Sequence, residues 1–318
     1  MPEAALAFLR ESILHGLVAT GVVLTLLLLW RARSPRVRLR FVWLALAFPA
    51  VVQPLLFWLS PERRSPAFAE DHALFASGRY ADLVLFGART DAVVAGCLAW
   101  LALLLLLRDL VPLIIQYAEP RPAAAADEAL DSRLREAVTG LGDLFPLSEP
   151  RLRLVDATSP DISCSGLRRG EIVVSTSLAR DLHPRELRAA LAHEVAHLHY
   201  GDPALGWALM GLRALFFFNP AVQLLARLAA REMESRADDF AVGLVGEPSV
   251  LATSLVKTFR RGLGRRSLGH LLEPLRVRAL ERRCRRLLDT APRPDLGAPA
   301  LHLGVTAAGL AALLLFVV

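Results

Sequence analysis

The chain has 318 residues, 54% of them hydrophobic, and a mean hydropathy of +0.42, values that exclude an ordinary pair of soluble domains and point to a membrane protein. Its 37 basic residues, all arginine except Lys257, exceed 31 acidic ones and stand beside apolar stretches, which fits a membrane surface better than nucleic acid. Three cysteines (Cys97, Cys164 and Cys284) with no C-x-x-C spacing exclude a disulfide framework and a cysteine zinc site, and read as reduced thiols.

The first span is predicted from Ile13 to Trp30, eighteen residues without a formal charge. Its cluster of arginines follows it, whereas the single Arg10 before it is adjoined by Glu11, so it is not read as a cleavable signal peptide. Arg31, Arg33, Arg36, Arg38 and Arg40 come next with no acid among them, which makes that short loop cytoplasmic and puts the N-terminus outside. Span two is Phe41 to Leu59, with Pro49 and Pro54 expected to kink it. Residues 60–91 form an external loop, and span three starts at Ala92 and extends toward Ile115.

Residues 119–126 read as a linker into a soluble part. Asp131 to Leu144 is an amphipathic helix. Leu152 to Val155, Ile162 to Gly166 and Glu171 to Ser175 are β-type runs separated by Ser159-Pro160 and Arg169-Gly170 turns, so a small sheet is expected. Pro184 suits the first position of a helix and Glu186 its first turn; Gly201 and Pro203 mark its end.

That helix carries LAHEVAHLHY, residues 191–200, with His193, Glu194 and His197 in the pattern H-E-x-x-H. Four residues is just over one turn, so the two imidazoles share a face and can bind one Zn²⁺, while Glu194 is placed to take a proton from a zinc-bound water. Two histidines on a half-buried helix is the bland alternative.

Ala204 to Phe218 is apolar, but at fifteen residues with Arg213 inside it is too short for a span, and is expected to be buried, interfacial or re-entrant. Asn219-Pro220 is an N-cap followed by a first-turn proline. The helix it opens carries EMESRADD, residues 232–239. Glu234 and Asp238 share a face, and Glu232 points about 160° away from Glu234. Glu234 can complete a two-His, one-Glu set with an open fourth position, and Asp238 can accept the spare N–H of a zinc-bound imidazole. The competing reading is a solvated acidic face paired with Arg231 and Arg236.

Together, ELRAALAHEVAHLHYGD, FFFNPAVQLLARLAAREMESRADDFA and SGLRRGEIVVSTSLARDL resemble the membrane-bound gluzincin metallopeptidases over roughly 150–290. The F-N-P element and three N-out spans before a cytoplasmic zinc domain resemble the proteases of β-lactam sensor–transducers. E-S-R-A-D-D-F-A resembles the CAAX prenyl and heat-shock membrane proteases. The resemblance implies His193, His197 and Glu234 as ligands of one zinc, Glu194 as general base, Asp238 as the neighbour of a ligand, and a substrate lying along the strand near Glu171 to Ser175. Two departures stand out. The chain stops at Val318, so β-lactam sensing is not expected, and the 36 residues between His197 and Glu234 leave little room for a large intramembrane chamber.

His270, Arg276 and Arg278 are oxyanion candidates by residue type only. His199 reads as an exposed or capping histidine, Asp202 as the end of the zinc helix, and His15 as a packed histidine near the outer interface. The arginine tract from Arg260 to Arg286 reads as a membrane-facing or solvated helix, and no nucleic-acid partner is expected. Ala298 to Val318 supplies a fourth span of twenty-one residues.

The expected fold is therefore mainly α and integral to the membrane: about four transmembrane helices and an α-rich, zincin-like catalytic domain with a small sheet. Its domains are a membrane region (1–117), a cytoplasm-facing metallopeptidase domain (118–297) and a C-terminal helix (298–318). The expected function is a zinc endopeptidase of the inner membrane acting on a membrane-associated or regulatory protein, with oligomeric state left open. The rival is a weak or inactive signalling scaffold with a structural zinc, against which Glu194 argues.

Overall fold

A computed structural model describes residues 2–74, 84–85, 88–118, 127–141, 150–156, 162–166, 170–262, 273–289 and 297–317. The expected linker 119–126 and His270 lie outside them. Two compact units emerge: Met1–Val111 with Ala208–Glu232 and Arg293–Val318, and Pro112–Trp207 with Met233–Pro292.

The first unit contains α1 (Pro2–Leu29), α2 (Pro35–Ala47), α3 (Gln53–Leu59), α4 (Pro66–Asp71), a two-residue hairpin β1 (Val84–Leu85) and β2 (Ala88–Arg89), most of α5 (Thr90–Ala118), and α13 (Pro299–Leu315). Ala7–Leu29 and Pro35–Leu59 are long and apolar enough to cross a membrane; Gly96–Arg108 and Pro299–Leu315 are shorter apolar helices among the described residues. The two prolines of the second span do not break it. A π-helical turn, Phe48–Val52, joins α2 to α3, the wider turn absorbing the backbone bonds that Pro49 and Pro54 remove. Trp58, Trp100 and Leu301 are among the large apolar side chains exposed on this unit.

Arg63, expected in an external loop, is only 2% exposed. It donates to the carbonyls of Leu314, Leu315 and Val317, satisfying the last turn of α13, and pairs with Glu11 of α1 at 3.0 Å. His15 is buried as expected, its Nε2 2.9 Å from the Val317 carbonyl. Asn219 does cap the next helix: its Oδ1 accepts from the Ala221 backbone at 3.0 Å while its Nδ2 donates to the Ser12 carbonyl at 2.7 Å. Gly16 packs closely opposite: a Cβ there would stand 3.0 Å from Asn219 and Ala221, a tight contact.

The second unit contains α6 (Glu128–Val138), a three-stranded sheet, α7 (Thr176–Asp181), α8 (Pro184–His199), α11 (Pro248–Gly262) and α12 (Glu273–Leu288). The strands are β3 (Arg151–Val155), β4 (Ile162–Ser165) and β5 (Glu171–Ser175), in the order β3-β5-β4, with β3 parallel and β4 antiparallel to β5. The central β5 buries Ile172 and Val174 on one face and Val173 on the other, as a strand covered on both faces requires. Leu130 and Leu134 of α6, Leu187, Leu191 and Val195 of α8, and Leu251 of α11 complete one core. Leu187, Leu191 and Val195 recur every four residues, which commits one face of α8 to that core. α9 (Asp202–Leu215) and α10 (Pro220–Val245) run from one unit into the other. α9 is thus a helix of fourteen residues, short of a span, with Trp207 and Leu215 exposed and Arg213 bonded to Gln223.

The topology corrects one expectation. The run Glu171–Ser175 cannot receive an added substrate strand, because β5 is hydrogen-bonded on both sides. Among the described residues, β4 is the strand next to α8 that is paired on one side only.

Candidate metal centre

α8 starts where the sequence predicts. Pro184 is its first residue, and Glu186 accepts from the His183 backbone N–H at 2.8 Å, half of a capping box. The sole lysine, Lys257, reaches from α11 to the same carboxylate at 2.6 Å. Gly201, at φ +69°, then closes α8 in the left-handed conformation that glycine adopts freely.

His193 and His197, one turn apart on α8, turn their Nε2 atoms toward each other at 3.1 Å. Glu234 of α10 stands opposite, with Oε2 3.4 Å from His193 Nε2 and Oε1 3.6 Å from His197 Nε2. One donor atom from each residue lies within 4.8 Å of the other two. Tetrahedral zinc with bonds near 2.0 Å holds its ligand atoms about 3.3 Å apart, so this spacing suits that ion. The charges agree. Glu194, Asp202, Glu234 and Asp238 outnumber the guanidiniums of Arg236 and Arg283 placed beside them, a local negative balance that suits a divalent cation.

Each imidazole has its own carboxylate. Asp202 opens α9 rather than merely ending α8: its Oδ2 accepts from His197 Nδ1 at 2.7 Å. Arg236 donates to the other oxygen of Asp202 and lies over the Tyr200 ring, 4.0 Å from its centroid. Asp238, wholly buried, has Oδ1 3.2 Å from His193 Nδ1, a close but oblique approach, because Arg283 Nη2 holds the same oxygen at 2.6 Å. Asp202 thereby directs the Nε2 of His197 toward the shared cluster, while Asp238 stands beside His193 Nδ1 without a well-aligned hydrogen bond to it.

Burial lowers the affinity of His193 for its proton, but Asp238 and Glu234 outweigh that and carry its pKa up to about 9. Glu234 moves the other way: burial raises it, and the Arg283 charge and the two imidazoles then hold it far below the usual carboxylate range. Asp238 is likewise held down, against its burial, by His193 and Arg283. Glu194 is 8% exposed, and burial pushes its carboxyl up, partly offset by the two histidines and by a hydrogen bond with the Cys164 thiol of β4. An upward-shifted carboxylate is a stronger base, nearer in pKa to neutral solution. The Cys164 thiol itself is driven far up by burial and by Glu194, so it is an unreactive S–H donor. All three cysteines are free.

The structure thus brings together all five residues singled out by pattern: His193, Glu194, His197, Glu234 and Asp238. His199 stays apart, its ring stacked near Tyr200 and Phe240. Glu232 also points elsewhere, to Arg38 of α2 at 2.6 Å. Arg278 is exposed on α12. The residues that pattern reading missed are Arg283, Arg236 and Cys164, together with the bond from Asp202 to His197.

A two-histidine, one-glutamate cluster beside a further glutamate could hold a metal ion and offers the residue types that hydrolytic metal sites use. Residues 97–248 match the BlaR1 peptidase M56 family. The chain is also similar to proteins named "Protease HtpX homolog" from Burkholderia mallei (strain SAVP1) and Burkholderia pseudomallei (strain 668), at 29% identity over 174 residues in each case. Those matches cover 45% of this chain and 61% of each relative's length. The resemblance to membrane zinc metallopeptidases of the BlaR1 and HtpX group therefore stands on both comparisons.

Proposed function

We propose that this chain is a zinc-dependent endopeptidase of the inner membrane, hydrolysing peptide bonds of a membrane-associated or regulatory protein. In this reading there are four spans, the N-terminus lies outside, and residues 118–297 face the cytoplasm. The reading rests on one observation above all, the triangle of His193, His197 and Glu234 donors with the Glu194 carboxylate in the turn between the two histidines.

Bound zinc supplies a Lewis acid that acidifies water and polarises a scissile carbonyl. His193, His197 and Glu234 hold it; Asp202 and Asp238 keep the two rings in the productive tautomer. Glu194 takes the proton of the attacking water and delivers it to the leaving amine. Its burial raises its proton affinity for the first step, and the S–H of Cys164 fixes one rotamer of the carboxylate. The substrate backbone lies along β4, which runs beside α8 and is paired with one strand among the described residues.

The test is paired: zinc content and cleavage of casein by detergent-purified protein, wild type beside Glu194→Ala. About one zinc per chain in both, with cleavage reduced by roughly 10²–10⁴ in the variant, is expected. No zinc in the wild type overturns the proposal, and so does undiminished cleavage by the variant.

A further inference from the structure

Helix α12 presents two arginines one turn apart to the ligand-bearing face of α10. Arg283 bonds Asp238 in a fork, Nε to Oδ2 at 3.0 Å and Nη2 to Oδ1 at 2.6 Å, and Nη1 reaches Glu234 Oε2 at 2.9 Å. Arg286 donates to the Ser235 carbonyl at 3.0 Å and to Asp239 Oδ2 at 2.5 Å. The two arginines therefore engage residues 234, 235, 238 and 239 in register. Arg283 touches Glu234, Asp238 and His193 of the metal cluster.

We propose that Arg283 is a positioning residue of the metal centre: its planar guanidinium holds the Glu234 and Asp238 carboxylates in the arrangement that presents Glu234 to the metal. This rests on the zinc reading above. Three physical points carry it. Glu234 and Asp238, four residues apart on one helix face, repel each other, and a single cation between them removes that repulsion. Asp238 is fully buried, and a buried carboxylate without a charged partner is strongly unfavourable. The Glu234 side chain is 42% exposed, and the 2.9 Å contact from Nη1 of Arg283 to Oε2 restrains its rotamer.

The sign of the effect distinguishes this role from simple electrostatics. A cation with Nη2 only 3.3 Å from His193 Nε2 repels a divalent ion, so Coulomb repulsion alone predicts that removing the charge tightens zinc binding. Positioning predicts the opposite, and it predicts that charge alone is insufficient. A lysine offers one point charge and cannot fork to Asp238 while reaching Glu234.

The experiment is a chelator-competition measurement of zinc affinity on full-length protein in detergent, for wild type, Arg283→Lys and Arg286→Lys, each checked for helical content. Zinc binding weakened roughly 10- to 100-fold in Arg283→Lys, with Arg286→Lys within about threefold of wild type, is the expected result. Equal or tighter binding in Arg283→Lys overturns the inference. So does equal weakening in both variants, which marks a merely structural clasp. If Arg283→Lys does not fold, the neutral pair Asp238→Asn with Arg283→Gln is compared with Asp238→Asn alone, where a further loss of about tenfold supports positioning and equality overturns it. Wild-type protein that binds no zinc sinks the metal-site reading itself, a separate outcome.

Discussion

On the proposed zinc reading, the ion has to displace a proton to enter this site, and the charges around His193 say which one. His193 has its pKa raised to about 9 by Asp238 and Glu234, so at pH 7 the metal-free ring is almost fully protonated. Displacing that proton at pH 7 costs zinc roughly 100-fold in affinity relative to pH above 9, about 2.7 kcal/mol. Asp238→Asn removes the main influence that raises the pKa, and burial then returns the ring to its neutral form. Affinity is a poor readout of this change. Relief of proton competition strengthens binding by up to about 100-fold, while loss of the carboxylate behind the ring weakens it by a similar 10- to 100-fold. The proton count is the sharp observable. Calorimetric zinc titrations at pH 7, in two buffers of different ionisation enthalpy, give the protons released per zinc. Any contribution from acidified water is common to both proteins. Wild type is expected to release nearly one proton more than Asp238→Asn. Equal counts would refute the claim that Asp238 stores a proton on His193.

Two further outcomes follow from the same contacts. Asp202→Asn removes the acceptor of His197 Nδ1 and leaves Arg236, 12% exposed, without its charge partner. Zinc affinity should fall roughly 10- to 100-fold and the metal-free protein should lose on the order of 3 kcal/mol, read by chelator competition and thermal melting. Unchanged affinity would contradict the orienting role. Metal-free protein should also be most stable in mildly acidic solution. The His193 pKa is raised above its unfolded 6.5, so its contribution is complete below about pH 6.5 and lost as pH rises through about 9. Glu234 and Asp238 are depressed, so their contributions are complete above the ordinary carboxylate range and lost as pH falls through their folded values. Denaturation of chelator-treated protein across pH checks this, and stability rising steadily from pH 6.5 to 9 would count against it.

What the sequence discloses here is what local chemistry determines. Pro184, Glu186, Gly201 and Asn219 mark helix ends because capping depends on residues within one turn, and each does its expected work in the structure. His193, His197, Glu234 and Asp238 are legible because a 3.6-residue period puts positions four apart on one face. Strand order is different. The runs at 151–155, 162–165 and 171–175 are recognisable one by one, but nothing in their alternation says that the last lies in the middle. That hidden order is why β5 looked like a docking edge. Asp202 was legible in part, since an acid five residues beyond His197 and just past a left-handed glycine stands within reach of the ring. Arg283 was not, because it lies 45 residues beyond Asp238 in a tract of similar arginines, and periodicity gives no reason to prefer it to Arg282 or Arg285.

The arginine tract carries a broader point about how charge is used in this chain. Read as composition, RRCRR at 282–286 is a basic surface. Read through the fold, it divides: Arg285 is 80% exposed and pairs with Glu281 on its own helix, whereas Arg283 and Arg286 turn inward to four residues within two turns of α10. A surface pair of the first kind contributes about 0.3–0.5 kcal/mol. Breaking a pair such as Arg283–Asp238 by removing one partner costs about 3–5 kcal/mol, because it strands a buried carboxylate. Residues of one type in one short run thus differ about tenfold in consequence. What separates them is which side of α12 meets the acidic face of α10. A basic run next to an H-E-x-x-H and an E-x-x-x-D is therefore better examined for inward-facing members than assigned whole to solvent, lipid or nucleic acid.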